Sequence, residues 1–353
     1  MQKEWPLLLL MWYDENKRQL PWREQTDAYR TWVSEIMLQQ TRVEVVKDYY
    51  RRFLERFPAL EDLAAATEEE VLQQWQGLGY YSRARNLWQG ARETVSQYGG
   101  KVPKDEKTLR TLPGVGEYTA GAILSIAYQQ AVPAVDGNVL RVFSRLYGLQ
   151  EDVQTTTAKK TVAQLVREVL PVKRPGDFNQ ALMDFGAALC IPETPRCEAC
   201  PITAYCLARL QGKERILPVR KQKKSPKCVY VAVGLAKKKN GGGYWLEKRP
   251  ARGLLAGMWQ FIATEAETEK EAAELLAERG LQLLQPTLPV WRVSHVFSHR
   301  RWELAIYDCA PTSCPQDSGW LAVTEEALAT VLWAGPHQKI SAWLEKNIKV
   351  TEI

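Results

Sequence analysis

Apolar side chains recur at three- and four-residue spacing through residues 1 to about 212, the period of a helix with one buried face. Tyr29, Trp32, Val33, Ile36 and Met37 form one such stripe, with Thr26 or Asp27 placed to cap it. Val139, Leu140, Val142, Phe143 and Leu146 form another. From Cys228 onward the period falls to two: Val229, Val231 and Val233 alternate with other residues, as do Trp302, Leu304 and Ile306. The pattern predicts a turn over 237–243, a strand over 244–249, and helices over 269–279 and 337–346. An all-α half is thus followed by a mixed α/β half. Between them, residues 213–227 hold seven Lys or Arg, two Pro and little periodicity, as expected of a basic interdomain linker.

A length of 353 residues calls for more than one domain. The net charge of +6 permits binding to a polyanion without requiring it. The apolar run at 7–11 is short, is followed by Trp12, Tyr13 and Asp14, and lacks a small-residue cleavage site; no run is long enough to span a bilayer. The expectation is a soluble, intracellular chain. Four of the seven cysteines lie within 17 residues, which fits metal binding in a reducing compartment better than disulfides.

Those four, Cys190, Cys197, Cys200 and Cys206, have the spacing C-x6-C-x2-C-x5-C. Thiolates so placed suit one zinc ion or one cubic iron–sulfur cluster, and coordination logic alone does not choose. Cys228, Cys309 and Cys314 show no such pattern and read as core or free thiols. In LPGVG, residues 112–116, Gly114 and Gly116 allow a tight hairpin whose backbone N–H groups, with the following helix N-terminus, can hold a phosphate. Asp136, in PAVDGN, is a helix-cap candidate. Glu35 lies off its helix's apolar stripe and faces either a cleft or solvent.

The segment SEIMLQQTRV, residues 34–43, resembles the MutY family of adenine-excising DNA glycosylases almost letter for letter. LPGVGEYTA resembles the helix-hairpin-helix of DNA glycosylases, and the cysteine spacing is similar to the cluster loop of the endonuclease III and MutY glycosylases. The resemblance covers about residues 5 to 345. It implies an all-α helix-hairpin-helix glycosylase domain with a [4Fe-4S] cluster loop at 1–212, divided into a six-helix subdomain (about 23–136) and an iron–sulfur subdomain (about 1–22 and 137–212). A linker at 213–227 and a Nudix-like α/β lesion-recognition domain at 228–353 complete the chain.

By the same resemblance the substrate is duplex DNA with adenine opposite 8-oxoguanine or guanine. Glu35 is the general acid, and Asp136 stabilises or traps the oxocarbenium sugar. Tyr118 assists in orientation. Members with strand-cleaving activity carry lysine where this chain has Tyr118, and a phenol forms no Schiff base, so base excision without strong lyase activity is expected. Cys190, Cys197, Cys200 and Cys206 would hold the cluster, with Arg196 and Arg209 near the DNA backbone. Arg23 (in PWR), Gln40, Thr41, Leu78 and Tyr80 (in GLGYYSR), Gly114, Gly116 and Asn138 would contact DNA. Phe297, Ser298 and His299 would read the lesion, Phe297 as a wedge.

Two departures stand out. Residues 253–259 match the region that precedes a Nudix metal motif, but EAAELLAERG at 271–280 lacks the Arg-Glu pair and paired carboxylates, so nucleotide hydrolysis is not expected. Gln260, Ile262 and Ala263 replace the commoner Glu and Pro. The resemblance implies a monomer, cytoplasmic and nucleoid-associated through DNA. The competing readings are an endonuclease III-like pyrimidine glycosylase with lyase action, against which Tyr118 and the extra domain speak, and a DNA-binding damage sensor, against which the Glu35–Asp136 pair speaks.

Overall fold

The structure, a computed structural model, describes residues 4–221, 225–238, 242–284, 288–312 and 319–351. Cys314 lies outside them. The chain divides into two compact units, Met1–Gln222 and Lys223–Ile353.

The first unit contains α1 (Trp5–Asn16), α2 (Ala28–Leu38), α3 (Val43–Arg56), α4 (Leu60–Ala65), α5 (Glu68–Trp75), α6 (Ser82–Tyr98), α7 (Glu106–Leu109), α8 (Glu117–Ile126), α9 (Gly137–Leu146), α10 (Thr156–Val169), α11 (Pro175–Ala188) and α12 (Leu207–Leu210). Side-chain caps explain several starts. Asp27 accepts from the Arg30 N–H, Thr67 from Glu70, and Asp136 from Val139, each satisfying a donor the helix leaves free. Pro175 opens α11 in the first turn, where its missing N–H costs nothing.

Two aromatic-rich regions organise this unit. Phe53, Phe57 and Trp75 meet edge to face on α3, its end and α5. Trp5, Phe143, Val162, Phe178 and Phe185 join α1, α9, α10 and α11 in a second core. Helices α2 and α8 pack together, and α11 packs on both α8 and α9, so the regions meet along α8. Gly121 permits a close crossing there. A Cβ on it would lie 2.1 Å from the Pro133 carbonyl oxygen, so the segment that delivers Asp136 runs directly over α8.

Residues 213–227 are not a linker throughout. Leu217 is buried and its carbonyl accepts from Arg145 Nε at 2.9 Å, while the Val219 carbonyl accepts the Val153 N–H. The basic run therefore lies against the helical unit through Val219, where Leu217 gives the buried Arg145 guanidinium one acceptor beside those from Ile191 and Pro192.

The second unit contains β1 (Lys227–Ala236), β2 (Tyr244–Lys248), β3 (Trp259–Ala266), α13 (Glu269–Glu278), β4 (Leu281–Leu283), β5 (Trp291–Val296), β6 (Arg300–Pro311), β7 (Leu321–Val323) and α14 (Gly335–Thr351). The sheet order is β4-β6-β1-β3-β2-β7, with β5 also paired to β6. Strands β1 and β6 run parallel over ten residue pairs from Lys227↔Arg300 to Ala236↔Cys309, and the other pairs are antiparallel. Alternation sends Val231, Val233, Trp302, Leu304 and Ile306 into one core with Phe261, Trp333 and Ile340 of α14. Ala232, Ala305 and Tyr307 face the opposite core, built with Ala272 and Leu276 of α13. Among the described residues, no helix is long and apolar enough to cross a membrane.

Candidate active site

Glu35 is buried, at 5% exposure, although it lies off the apolar stripe of α2. The packing of α8 against α2 covers it. Tyr118 Oη donates a hydrogen bond to Glu35 Oε2, and Met183 Sδ lies 3.7 Å from the same hydroxyl. Burial pushes the Glu35 carboxyl up to about 7; the Tyr118 hydrogen bond opposes that shift and the nearby Asp136 charge adds to it. Burial and the two neighbouring carboxylates keep the Tyr118 phenol well above its ordinary value, so it remains a neutral donor.

Asp136 caps α9, its Oδ1 accepting from the Val139 N–H at 2.8 Å and its Oδ2 from Asn138 Nδ2 at 2.8 Å. Burial raises its carboxyl, and these hydrogen bonds with the Arg141 charge pull it back. Arg141 donates to Asn138 Oδ1, to the Gly186 carbonyl and to the Cys190 carbonyl, at 2.7 to 2.9 Å. The amide of Asn138, expected on DNA, is thus engaged in holding Asp136.

Glu35, Tyr118 and Asp136 line one cleft of about 1190 Å³. Arg23 forms its wall rather than a free phosphate contact. It donates to Gln180 Oε1 at 2.8 Å and to Asp184 Oδ2 at 2.8 Å, and Arg18 Nε reaches Asp184 Oδ1 at 2.9 Å. The Asp184 side chain is 2% exposed. Burial pushes its carboxyl up, but the two guanidiniums hold it below the usual range. Sequence reasoning missed Arg18, Gln180 and Asp184. The available signal was an acid, Asp184, in the otherwise apolar second half of α11.

The hairpin before α8 takes the expected shape. Gly114 has φ +75°, and a Cβ on it would lie 2.8 Å from Asn86 Cβ. Gly116 begins α8 with nothing within 4 Å of its missing Cβ, leaving the helix N-terminus open to approach. Gln40, exposed, and Thr41 follow α2, and Gln40 has φ +58°. Tyr80 is 48% exposed with φ +48°. Leu78 is a correction: it is buried at 7% exposure, because the turn that exposes Tyr80 folds Leu78 and Tyr81 inward.

Cys190, Cys197, Cys200 and Cys206 line a single cavity with Val142, Leu146, Phe185 and Ile202. Among the described residues, no group of three or more His, Cys, Asp or Glu is placed to hold a single metal ion. Four soft donors around one apolar space fit a polynuclear thiolate-bound group better than zinc. Arg145, 1% exposed, donates to Cys190 Sγ at 3.3 Å and places positive charge at the sulfurs. Burial pushes the Cys200 thiol up to about 12 and raises Cys197 and Cys206.

In the second unit, residues 297–299 form the β5–β6 turn, closed by the Phe297 N–H to the Arg300 carbonyl at 2.8 Å. Ser298 and His299 are exposed there. Phe297 is not a free wedge: its ring packs 4.6 Å from His295 and 5.1 Å from Trp302, because alternation along the strand turns it toward the core. Glu271, Glu274 and Glu278 point outward from α13, while Glu247 accepts from Gln260 at 2.8 Å and pairs with Arg279.

Fold and site together define a helix-hairpin-helix DNA repair glycosylase with an appended Nudix-type unit. Residues 33–170 match the HhH-GPD superfamily base excision DNA repair protein, and residues 232–343 match the NUDIX domain. The adenine DNA glycosylase of Mus musculus is 38% identical over 384 residues, covering 92% of this chain and 75% of that protein. The adenine DNA glycosylase of Homo sapiens is 36% identical, covering 92% and 71%. That of Buchnera aphidicola subsp. Acyrthosiphon pisum is 33% identical over 78% of each. Among solved structures, a thermostable thymine-DNA glycosylase is 30% identical with TM-score 0.54, covering 59% of this chain and 96% of its own. A trapped endonuclease III–DNA covalent intermediate, 22% identical with TM-score 0.52, covers 60% and 99% and shares the fold. The chain belongs to the adenine DNA glycosylase family of base excision repair enzymes.

Proposed function

We propose that the enzyme removes adenine opposite 8-oxoguanine or guanine by hydrolysing the glycosidic bond of an extruded nucleotide, without strong strand cleavage. The observation that carries this reading is the buried Glu35 carboxyl, held near pKa 7 in the cleft that also contains Asp136. Adenine leaves poorly as an anion. Glu35 in its neutral form donates a proton to a ring nitrogen as the bond breaks, and a pKa near working pH suits that task. Tyr118 orients the Glu35 carboxyl through its hydrogen bond. Asp136, held by the Val139 N–H and the Asn138 amide, supplies negative charge to the oxocarbenium-like sugar or traps it covalently, before water completes hydrolysis. No lysine stands at position 118 to form a Schiff base.

The DNA path follows from placement. The Gly114–Gly116 hairpin offers backbone donors to one phosphate. Lys159, Lys160 and Arg167 on the exposed face of α10 line the same cleft and supply charge for others. Gln40, Thr41 and Tyr80 enter the stack to fill the gap left by the extruded base. In the second unit, Ser298 and His299 hydrogen-bond the lesion. The four cysteines would hold a [4Fe-4S] cluster, which when bound supplies a rigid thiolate-linked core for the surrounding loop.

Purified enzyme should be incubated with duplexes carrying adenine opposite 8-oxoguanine, adenine opposite guanine, or an oxidised pyrimidine. Adenine loss that breaks the strand only after alkali supports the proposal. Spontaneous breakage at the pyrimidine, or binding with no base released, rejects it.

A further inference from the structure

Arg83 lies in the first turn of α6, at its second residue, and is buried at 9% exposure. Its guanidinium gathers backbone from two separate loops. Nη1 donates to the carbonyls of Ile36 at 2.8 Å and Met37 at 3.0 Å, and to that of Gln39. Nη2 donates to Thr41 Oγ1 at 3.2 Å and to the carbonyls of Leu78 at 3.4 Å and Gly79 at 3.2 Å. The guanidinium carbon also lies 5.4 Å from the ring centroids of both Trp75 and Tyr80.

Two features make this more than a buried cation at a helix end. The carbonyls of Ile36 and Met37 belong to the last turn of α2, where acceptors go unpaired and the dipole favours positive charge. The carbonyls of Gln39 and Gly79 belong to the peptides immediately before Gln40 and Tyr80. Those two residues are non-glycine and adopt the left-handed backbone, at φ +58° and +48°. Such conformations persist only where the surroundings over-determine them. One guanidinium fixes the orientation of both preceding peptides. A lysine ammonium lacks the planar fork that spans the two loops.

We propose that Arg83 is a positioning residue that locks the Gln40–Thr41 loop and the Tyr80 loop to the helix carrying Glu35, presenting both to DNA as one rigid probe. This rests on the reading that those loops enter the duplex. It assigns Arg83 to unstacking of the target and not to the proton transfer itself.

The test uses the full chain with Arg83→Lys, which keeps the charge, and Thr41→Val, which removes one acceptor while leaving the buried cation in place. Thermal unfolding of each variant is recorded. Duplexes carry 2-aminopurine beside the mispaired adenine, and its fluorescence reports unstacking when enzyme binds. Single-turnover adenine release is compared between adenine in the mispair and adenine already unpaired in a bulge.

For Arg83→Lys the fluorescence rise should be mostly lost while duplex is still bound. Release from the mispair should fall about 10- to 100-fold, as a misplaced positioning group does, with less than about threefold loss from the bulge. Thr41→Val should shift both readouts in the same direction by a smaller factor. Equal losses on mispair and bulge, or unchanged fluorescence, overturn the proposal, because Arg83 would then serve only the fold or Glu35. The fluorescence arm reads the coupling even if the parent releases no adenine, a result that would instead sink the proposed function.

Discussion

Glu35 is asked to be both buried and ready to ionise, and that conflict has measurable consequences. Release of adenine under single-turnover conditions should fall as pH rises through about 7, where the carboxyl loses its proton. Glu35→Gln should remove that limb and slow release by about 100-fold or more. Stability runs in the same direction with pH. Folding raises this carboxyl from 4.5 to about 7, so its favourable contribution is complete below pH 4.5 and disappears as pH climbs through 7. At pH 8 the ionised, buried group costs about 3 kcal/mol by the size of that shift. Thermal unfolding should therefore show Glu35→Gln gaining more stability at pH 8 than at pH 5, and equal gains would contradict the burial argument. Helical spacing showed that Glu35 leaves the apolar stripe, but not that α8 covers it, because that contact joins residues 83 apart. Arg83 was hidden in the same way: it stands in a motif whose glycines and tyrosines draw attention, and its acceptors at the end of α2 and in the loop after it lie more than 40 residues earlier.

At the scale of elements, the hairpin and α10 carry separable jobs. Gly114 needs its positive φ and has Asn86 against it, so Gly114→Ala should cost about 1 kcal/mol or more in unfolding experiments as well as weakening duplex binding. Gly116 has an ordinary φ of −91° and open space, so Gly116→Ala should change stability by less than about 0.5 kcal/mol and act mainly on DNA affinity. Removing Lys159, Lys160 and Arg167 together should reduce the slope of log affinity against log salt by about 2 to 3, given roughly 0.9 per phosphate contact. An unchanged slope would take α10 off the DNA path. Helices and strands with a clean period, such as α2, α9, β1 and β6, were legible in the sequence because their large apolar residues recur at that period, although the structure also buries the opposite faces of α9, β1 and β6. The end of the helical unit was not. Charge density at 213–227 reads as solvent, whereas the segment through Val219 supplies one acceptor to Arg145 and another to the Val153 N–H, which only tertiary packing reveals.

For the whole molecule, the proposed function places chemistry and lesion reading in different units. The double variant Ser298→Ala, His299→Ala should leave the helical core and Glu35 intact. In competition assays it should lower the preference for adenine opposite 8-oxoguanine over adenine opposite guanine by about tenfold, the value of one or two lost hydrogen bonds. A uniform slowing on both substrates would return lesion discrimination to the helical unit.

The ion pair that joins Arg23 to Asp184 spans 161 positions of sequence, and Arg18 reaches the same carboxylate across 166. Ribosomes deliver those partners far apart in time. A nascent chain that already displays α2 and its acid has no counter-charge for either guanidinium, and the cleft lacks a fixed wall until α11 has emerged. The cleft is therefore closed only once α11, ending at Ala188, has left the ribosome, and any shorter nascent chain carries Glu35 without the wall that completes its cleft.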